Sequence, residues 1–145
     1  MIERINWIPV NQSNPNKSGK YLVTIKSNIM DYETYHIFIE YYNYDLKKWD
    51  NNENNRFKII AWFPLPDMYS NNWKYGLNPN KSGRYLTKCT IYSKVFINSD
   101  IQDIDEHIFI IEYRDKKWKL DKLIDGCQVK IEWMPLPDPY KPIML

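Results

Sequence analysis

Glycine and cysteine are scarce in this chain, and long apolar runs are missing. Among 145 residues there are four glycines and two cysteines, Cys89 and Cys127, which lie far apart and form no CxxC pair. This cysteine usage favours a reduced protein without a disulfide framework. No run approaches the roughly 18 apolar residues of a transmembrane helix, and the first residues lack the apolar core of a signal peptide. We therefore expect a cytoplasmic protein that does not insert into membranes.

An excess of charge of one sign is also absent. The chain has 20 basic and 18 acidic residues, a net charge of +2. This balance argues against a protein that binds duplex nucleic acid, which needs a concentrated basic face, and equally against an acidic mimic of DNA. Aromatic residues, by contrast, are abundant: six Trp and twelve Tyr contribute to an aromatic content of 16%. Rings of this size predict an aromatic core and suit contact surfaces.

One segment of the chain occurs twice. Asn14–Leu22 returns as Asn78–Leu86 with eight of nine positions identical. Three further landmarks recur in the same order, and they are His36-Ile37-Phe38 with His107-Ile108-Phe109, Lys47-Lys48-Trp49 with Lys116-Lys117-Trp118, and Trp62-Phe63-Pro64-Leu65-Pro66-Asp67 with Trp133-Met134-Pro135-Leu136-Pro137-Asp138. A fixed order of matched segments is the signature of an internal duplication. Residues 1–69 and 70–145 are therefore predicted to be tandem copies.

Each copy has the pattern of β-strands. The first predicts strands over Tyr21–Ile25, over 36–42 and around Trp49, bounded by turn residues. The second predicts Ile108–Tyr113 and Lys116–Leu120 as a hairpin around a tight turn at Arg114-Asp115. A short helix over Leu120–Asp125 is the alternative for the segment that follows.

The last strand of each copy ends at a Pro-Leu-Pro sequence, because proline cannot donate to a sheet ladder. In the second copy, alternation predicts one face formed by Val129, Ile131 and Trp133. The same reasoning for the first copy predicts a face formed by Lys58, Ile60 and Trp62.

These strands predict a mainly β fold of two small antiparallel sheets, each with three or four strands. A copy of about 70 residues is near the size at which one core is marginal. We therefore expect the copies to pack about a pseudo-twofold axis, as the subunits of a homodimer do. Open edge strands would also permit a homo-oligomer.

The two Asn-Lys-Ser-Gly turns are candidate phosphate sites, since backbone N–H groups, a hydroxyl and nearby cations suit an anion. The alternative is an ordinary turn in which glycine supplies a positive φ and the basic side chains stay solvated. Trp7 and Trp73, which precede the turns, are the tryptophans expected near a shared surface, where they could stack a base. The other four indole rings, those of Trp49, Trp62, Trp118 and Trp133, are expected in the core. The full candidate ligand set is Trp7, Lys17, Lys20, Tyr21, Trp73, Lys81, Arg84 and Tyr85.

The residue constellations that support catalysis or cofactor binding are missing. There is no glycine-rich nucleotide fingerprint and no Ser-His-Asp or Cys-His order. His36 and His107 lack matched carboxylates, so they predict no metal site. The acidic stretch 100–106, with Asp100, Asp103, Asp105 and Glu106, lacks the glycine and ligand spacing of a calcium loop and is expected to be a solvated loop. Cys89 stands where the first copy has Ile25 and is expected in the core. The sequence predicts a non-enzymatic protein without a metal or cofactor.

The segments Trp62–Asp67 and Trp133–Pro139 resemble the C-terminal Trp-Met-Pro-Leu-Pro signature of a phage and bacterial domain family of unknown function. The resemblance extends to the opening Trp7, to Pro15 and Gly19 of the first turn, and to the matching positions of the second copy. It departs at Ala61 and Glu132, where family members carry His. It implies a phage or prophage accessory protein.

In that setting three functions are expected of a small binding protein. The first is a counter-defence factor that sequesters a nucleotide-type host immune signal, with Trp7 and Trp73 on the base and the turn cations on phosphate. The second is an inhibitor that binds a host defence protein such as a nuclease or CRISPR effector. The third is a structural accessory module.

Overall fold

The fold was analysed in a computed structural model that describes residues 6–30, 32–50, 57–94, 102–120 and 127–142. Within these ranges the chain forms nine β-strands and no helix. The predicted mainly β fold of two antiparallel sheets is confirmed. No helix in the described part of the chain is long and apolar enough to cross a bilayer.

The first sheet has five antiparallel strands in the order β1-β5-β2-β3-β4. They are β1 (Ile8–Pro9), β2 (Gly19–Ile29), β3 (Tyr32–Asn43), β4 (Lys48–Trp49) and β5 (Phe57–Pro64). The long β2-β3 hairpin begins after the Asn-Lys-Ser-Gly turn, and β5 returns along the other side of β2.

The second sheet has four antiparallel strands in the order β8-β7-β6-β9. They are β6 (Gly83–Lys94), β7 (Gln102–Arg114), β8 (Lys117–Trp118) and β9 (Gln128–Pro135). A single bridge between Lys74 and Trp133 stands where Ile8 of β1 pairs with Trp62 of β5 in the first sheet. The same strand order therefore recurs, with the outermost strand reduced to one bridge.

Two compact units result. The first comprises Met1–Pro66 together with Pro137–Leu145, and the second comprises Asp67–Leu136. The sequence repeats divide the chain at residue 69, whereas the units divide it at Pro66 and again at Leu136. The segment that begins at Pro137 belongs to the first unit because the Tyr140 amide donates a hydrogen bond to Thr24 Oγ1 at 3.0 Å.

The core of the first unit lies on one face of β2 and is largely aromatic. Its buried members are Tyr21, Val23, Ile25, Tyr42, Trp49, Ile59 and Trp62. The second unit repeats the aromatic contacts, with Tyr85 against Trp118 and Trp133. The expected aromatic core is therefore present.

A β-bulge overturns the face predicted for β5. Thr24 pairs with Ala61 but the next residue, Ile25, pairs with Ile59, so Ile60 is the extra residue. Because a bulge reverses the alternation on one side of it, Ile59 packs in the core with Trp62. The prediction that Lys58, Ile60 and Trp62 share a face is wrong for this reason. No register shift interrupts β9, where Val129, Ile131 and Trp133 alternate as predicted.

The second hairpin turn lies one residue later than predicted. Arg114 pairs with Lys117, so the two turn residues are Asp115 and Lys116, with φ of 55° and 61°. Two positive φ values match the type I′ turn that fits the twist of a β-hairpin. The helical alternative for Leu120–Asp125 lies outside the described ranges except at Leu120, which belongs to no helix or strand.

The acidic stretch predicted as a loop is mostly strand. Asp103, Asp105 and Glu106 lie in β7, paired with Ser93, Ile91 and Thr90 of β6. Asp100 lies outside the described residues. The loop prediction is wrong for the three described residues because their backbone continues the antiparallel pairing of the long β6-β7 hairpin.

Candidate functional site

Both Asn-Lys-Ser-Gly turns are tied to their sheets by a tyrosine. The Tyr21 hydroxyl donates to the Lys17 carbonyl oxygen at 2.9 Å, and the Tyr85 hydroxyl donates to that of Lys81 at 2.6 Å. Burial raises the pKa of Tyr21, so this hydroxyl keeps its proton and remains a donor. The single hydroxyl hydrogen of each ring is committed to the turn itself.

A tryptophan from the last strand of each sheet fixes the start of the same turn. Trp62 Nε1 donates to the Ser13 carbonyl oxygen at 2.8 Å, and Trp133 Nε1 donates to that of Leu77 at 2.6 Å. The proline of each turn is buried. Gly19 has φ of 158°, a value that glycine adopts far more readily than residues with a Cβ. Each turn is thus held to its sheet through two main-chain carbonyls.

The basic side chains of these turns are exposed. They are Lys17, Lys20, Lys81 and Arg84. An anion could meet them only from the solvent side, because the tyrosine hydroxyls point back to the turn carbonyls. The structure therefore keeps the cations of the predicted site at the surface and places the rings of Tyr21 and Tyr85 in the packing beneath.

The two tryptophans predicted to stack a base both donate their indole N–H to a main-chain carbonyl. Trp73 is only 7% exposed, and its indole donates to the Asp67 carbonyl oxygen at 3.0 Å. Trp7 is half-buried, and its indole donates to the Asp138 carbonyl oxygen at 2.9 Å. Trp73 is therefore as buried as the core tryptophans, and stacking would require its ring to leave this packing.

The tryptophans assigned to the core lie where they were expected. Trp49, Trp62 and Trp133 are buried, and Trp118 is half-buried against Tyr85 and Tyr113. Cys89 is fully buried, as predicted from its match to Ile25. Burial raises the pKa of the Cys89 thiol, and a contact with the Thr87 hydroxyl partly opposes the shift.

Lysines and exposed tyrosines share one face of the second sheet. Lys88 pairs with Glu132 and Thr90 pairs with Lys130, so both lysines lie on the same face of β6 and β9. Lys88 Nζ lies 5.1 Å from the ring centre of Tyr69, and Lys130 Nζ lies 4.6 Å from that of Tyr75. We call these four residues, Lys88, Lys130, Tyr69 and Tyr75, the lysine–tyrosine face.

The two lysines of this face differ in their ionic partners. Lys130 forms an ion pair with Glu132 at 3.4 Å. Lys88 is 9% exposed, and no carboxylate among the described residues forms an ion pair with it. Its ammonium is supported by the ring of Tyr69, which itself is 77% exposed. The lysine–tyrosine face thus combines two exposed aromatic rings with a cation that forms no ion pair with any described residue.

The first unit has no cation at the position that matches Lys88. Thr24 and Ala61 pair with each other there, as Lys88 and Glu132 do in the second unit. Thr24 and Ala61 are both fully buried. The buried cation Lys88 is therefore a difference between the two copies on one common framework.

Sequence reasoning missed these residues because it concentrated on what the two copies share. The usable signal was the offset of 64 residues, which aligns Lys88 with Thr24 inside the otherwise uncharged stretch Tyr85–Tyr92. Lys130, Tyr69 and Tyr75 give no comparable signal, since only the fold brings the segment 69–75 against β6 and β9.

The repeated His-Ile-Phe landmark forms a ring pair on each sheet. His36 and Phe38 have ring centres 6.4 Å apart, and His107 and Phe109 stack at 5.4 Å. All four side chains are exposed and lie on the face of their sheet that also carries the core residues. His36 Nε2 also contacts Thr34 Oγ1 at 3.0 Å. No group of three or more potential metal ligands occurs among the described residues.

No protein-family model matches the chain, and no curated protein or solved structure is significantly similar to it.

Proposed function

We propose that the chain is a non-enzymatic binding protein that holds a nucleotide-type ligand on the lysine–tyrosine face. The observation that carries this proposal is Lys88, a nearly buried cation that lies against an exposed tyrosine ring and has no ion-pair partner in the described part of the chain. A ligand with a phosphate and a planar base would supply the missing anion and use the ring beside it.

The energies of these contacts suit a small ligand. Stacking of a base on an aromatic side chain contributes about 1–3 kcal/mol. A hydrogen bond between a lysine ammonium and a phosphate is charge-assisted and therefore stronger than a neutral one. Tyr69 and Tyr75 offer two such rings, and Lys88 and Lys130 lie beside them. Binding by these contacts requires no catalytic group.

The resemblance to phage and prophage domains gives the biological setting that we propose. A small protein that holds a nucleotide without converting it would lower the free concentration of a host immune signal in the bacterial cytoplasm. The exposed turn cations, Lys17, Lys20, Lys81 and Arg84, are a second possible location for the phosphates of such a ligand.

The second candidate function is inhibition of a host defence protein, and a different surface favours it. The His36–Phe38 and His107–Phe109 pairs are exposed on both sheets. Exposed aromatic rings are enriched at protein interfaces. Under this function the partner is a protein, and no small molecule is retained.

Native mass spectrometry of the purified full chain tests the first proposal directly. The protein is expressed in a bacterium with active nucleotide-based immunity and weighed before and after denaturation. A mass excess that is lost on denaturation and matches a nucleotide supports sequestration. A bare mass, together with a stoichiometric protein partner recovered from the same host, supports the inhibitor instead.

Variants then locate the site. Lys88→Thr installs the residue that the first unit carries at this position, and Tyr69→Ala removes the exposed ring. Each is expected to weaken binding of the identified nucleotide about tenfold, the equivalent of roughly 1.4 kcal/mol. Tyr32→Ala is the matched control, because Tyr32 is also 77% exposed but lies in the first unit. Loss of binding in Lys17→Ala/Lys20→Ala or Lys81→Ala/Arg84→Ala, with Lys88→Thr unaffected, would move the site to the turns.

A further inference from the structure

The first unit binds a segment of chain that is remote in sequence. Trp7 Nε1 donates to the Asp138 carbonyl oxygen at 2.9 Å, across 131 positions. Two residues further on, the Tyr140 amide donates to Thr24 Oγ1 at 3.0 Å. Thr24 is fully buried, so the segment covers this part of the sheet.

The second unit binds the matching segment of the first copy in the same manner. Trp73 Nε1 donates to the Asp67 carbonyl oxygen at 3.0 Å, across only six positions. Tyr69, the counterpart of Tyr140, lies against Lys88, the counterpart of Thr24. A Pro-Leu-Pro-Asp-X-Tyr sequence is therefore received twice by the same framework, once from nearby in the chain and once from far away.

The contacts in the first unit are of a kind that recognises peptides. Both hydrogen bonds go to main-chain atoms of the segment, a carbonyl and an amide two residues apart. The prolines at 135, 137 and 139 restrict the backbone before docking, which lowers the entropy lost on binding. Aromatic side chains that line a groove and donate to such a backbone are a recurring way to bind proline-rich segments.

We propose that Trp7 and Thr24 of the first unit form a recognition site for a Pro-Leu-Pro-Asp-X-Tyr segment, and that a second copy of this chain can supply that segment. The segment lies 131 positions from Trp7 in the chain. Its docking on the first unit therefore resembles the binding of a separate molecule, and its strength depends on the effective concentration of the segment. The same bonds form when the segment comes from another molecule, which gives an exchanged dimer. This inference is independent of the ligand proposed for the lysine–tyrosine face.

A peptide competition on the full chain tests the site. Tyr140→Pro removes the amide hydrogen that Thr24 accepts and loosens the chain's own segment, while Tyr140→Ala retains that amide. A labelled peptide, Leu-Pro-Asp-Pro-Tyr-Lys, is expected to bind the Tyr140→Pro variant about tenfold more tightly than the unmodified chain, where the internal segment competes. Adding Trp7→Phe is expected to weaken peptide binding by about 2- to 10-fold, the effect of one hydrogen bond.

Equal peptide affinity for the unmodified chain and the Tyr140→Pro variant would overturn the proposal, as would peptide binding that Trp7→Phe leaves unchanged. If Tyr140→Pro does not fold, hydrogen exchange of the Tyr140 amide in the Thr24→Val variant tests the same site. The Tyr140 amide is expected to exchange faster once its acceptor is removed, and unchanged exchange contradicts the site.

The exchanged dimer has its own measurement. The unmodified chain is refolded from urea at low and at high protein concentration and separated by size with mass detection. Dimer is expected only at high concentration, and Tyr140→Pro is expected to reduce it strongly. A chain that stays monomeric at every concentration, or a variant that dimerises as the unmodified chain does, shows that a second copy does not supply the segment.

Discussion

Tyr21 and Trp62 meet edge to face with ring centres 5.3 Å apart, and Tyr85 and Trp133 repeat the contact at 5.2 Å. In each pair the tyrosine hydroxyl and the indole N–H both bond to carbonyls of the adjoining Asn-Pro turn. One aromatic pair therefore joins the first long strand, the last strand and the turn. This accounts for the recurrence of the tyrosine and the tryptophan in the two copies, because both rings hold main-chain carbonyls of the turn.

Removing one indole hydrogen bond should distinguish two core tryptophans. Trp62 Nε1 has the Ser13 carbonyl oxygen as acceptor, whereas the buried Trp49 Nε1 has no acceptor in the described part of the chain. Phenylalanine loses a similar ring area at both positions but breaks a bond only at Trp62. We expect Trp62→Phe to lower the free energy of unfolding by about 1–2 kcal/mol more than Trp49→Phe. Urea denaturation of both variants measures this, and equal losses would contradict it.

The Tyr21 hydroxyl should contribute measurably to stability. It is part-buried and donates to the Lys17 carbonyl oxygen at 2.9 Å. Tyr21→Phe is expected to reduce the free energy of unfolding by about 0.5–1.5 kcal/mol, because the hydrogen bond is lost and the ring is kept. Tyr32→Phe is the control, since that ring is exposed. Thermal or urea unfolding that gives the same value for both variants would argue against a structural role for the hydroxyl.

The turn at Asp115-Lys116 should accept glycine with a gain in stability. Lys116 has φ of 61°, a region that costs energy for a residue with a Cβ. Lys116→Gly is expected to raise the free energy of unfolding by about 0.5–1 kcal/mol, and it creates the Asp-Gly pair typical of type I′ turns. Lys117→Gly, the next residue and part of β8, is expected to destabilise the protein instead. A loss of stability in both variants would be inconsistent with this turn type.

The two thiols should differ in reactivity. Cys89 is fully buried and Cys127 is half-buried. The thiolate is the reactive form of cysteine, and burial raises the pKa of the Cys89 thiol. A disulfide reagent at pH 8 should therefore modify Cys127 quickly and Cys89 only on unfolding. Cys127→Ser is expected to abolish the fast reaction. A fast reaction that persists in this variant would place Cys89 in contact with solvent.

The same thiol links stability to alkaline pH. A folded-state pKa above the ordinary value of 9.0 means that the unfolded chain loses this proton first as pH rises. The resulting stabilisation is complete below the unfolded pKa and disappears as pH rises through the folded pKa. The free energy of unfolding of the unmodified chain should therefore fall more steeply above pH 9 than that of Cys89→Ala. Parallel slopes in urea titrations across this range would contradict the shift.

The amino-acid sequence by itself determined the duplication, the β class and most of the core. Local signals were sufficient for this: a nine-residue repeat, β-branched and aromatic runs after proline-glycine turns, and tryptophans at matching places. They also predicted the burial of Trp49, Trp62, Trp133 and Cys89. The alternation pattern gave the wrong face at Ile60, because a β-bulge depends on how two strands pair and has no local signal in the sequence.

Only the tertiary structure decided which residues form a surface. The sequence singled out Trp73 and Tyr21 as ligand contacts, yet both are packed in the fold. It gave no reason to associate Lys88 with Tyr69, or Trp7 with Asp138, because contacts between segments far apart in the chain follow from the path of the whole backbone. Periodicity reports which side of a strand is buried, but what comes to cover that side is determined by three-dimensional packing.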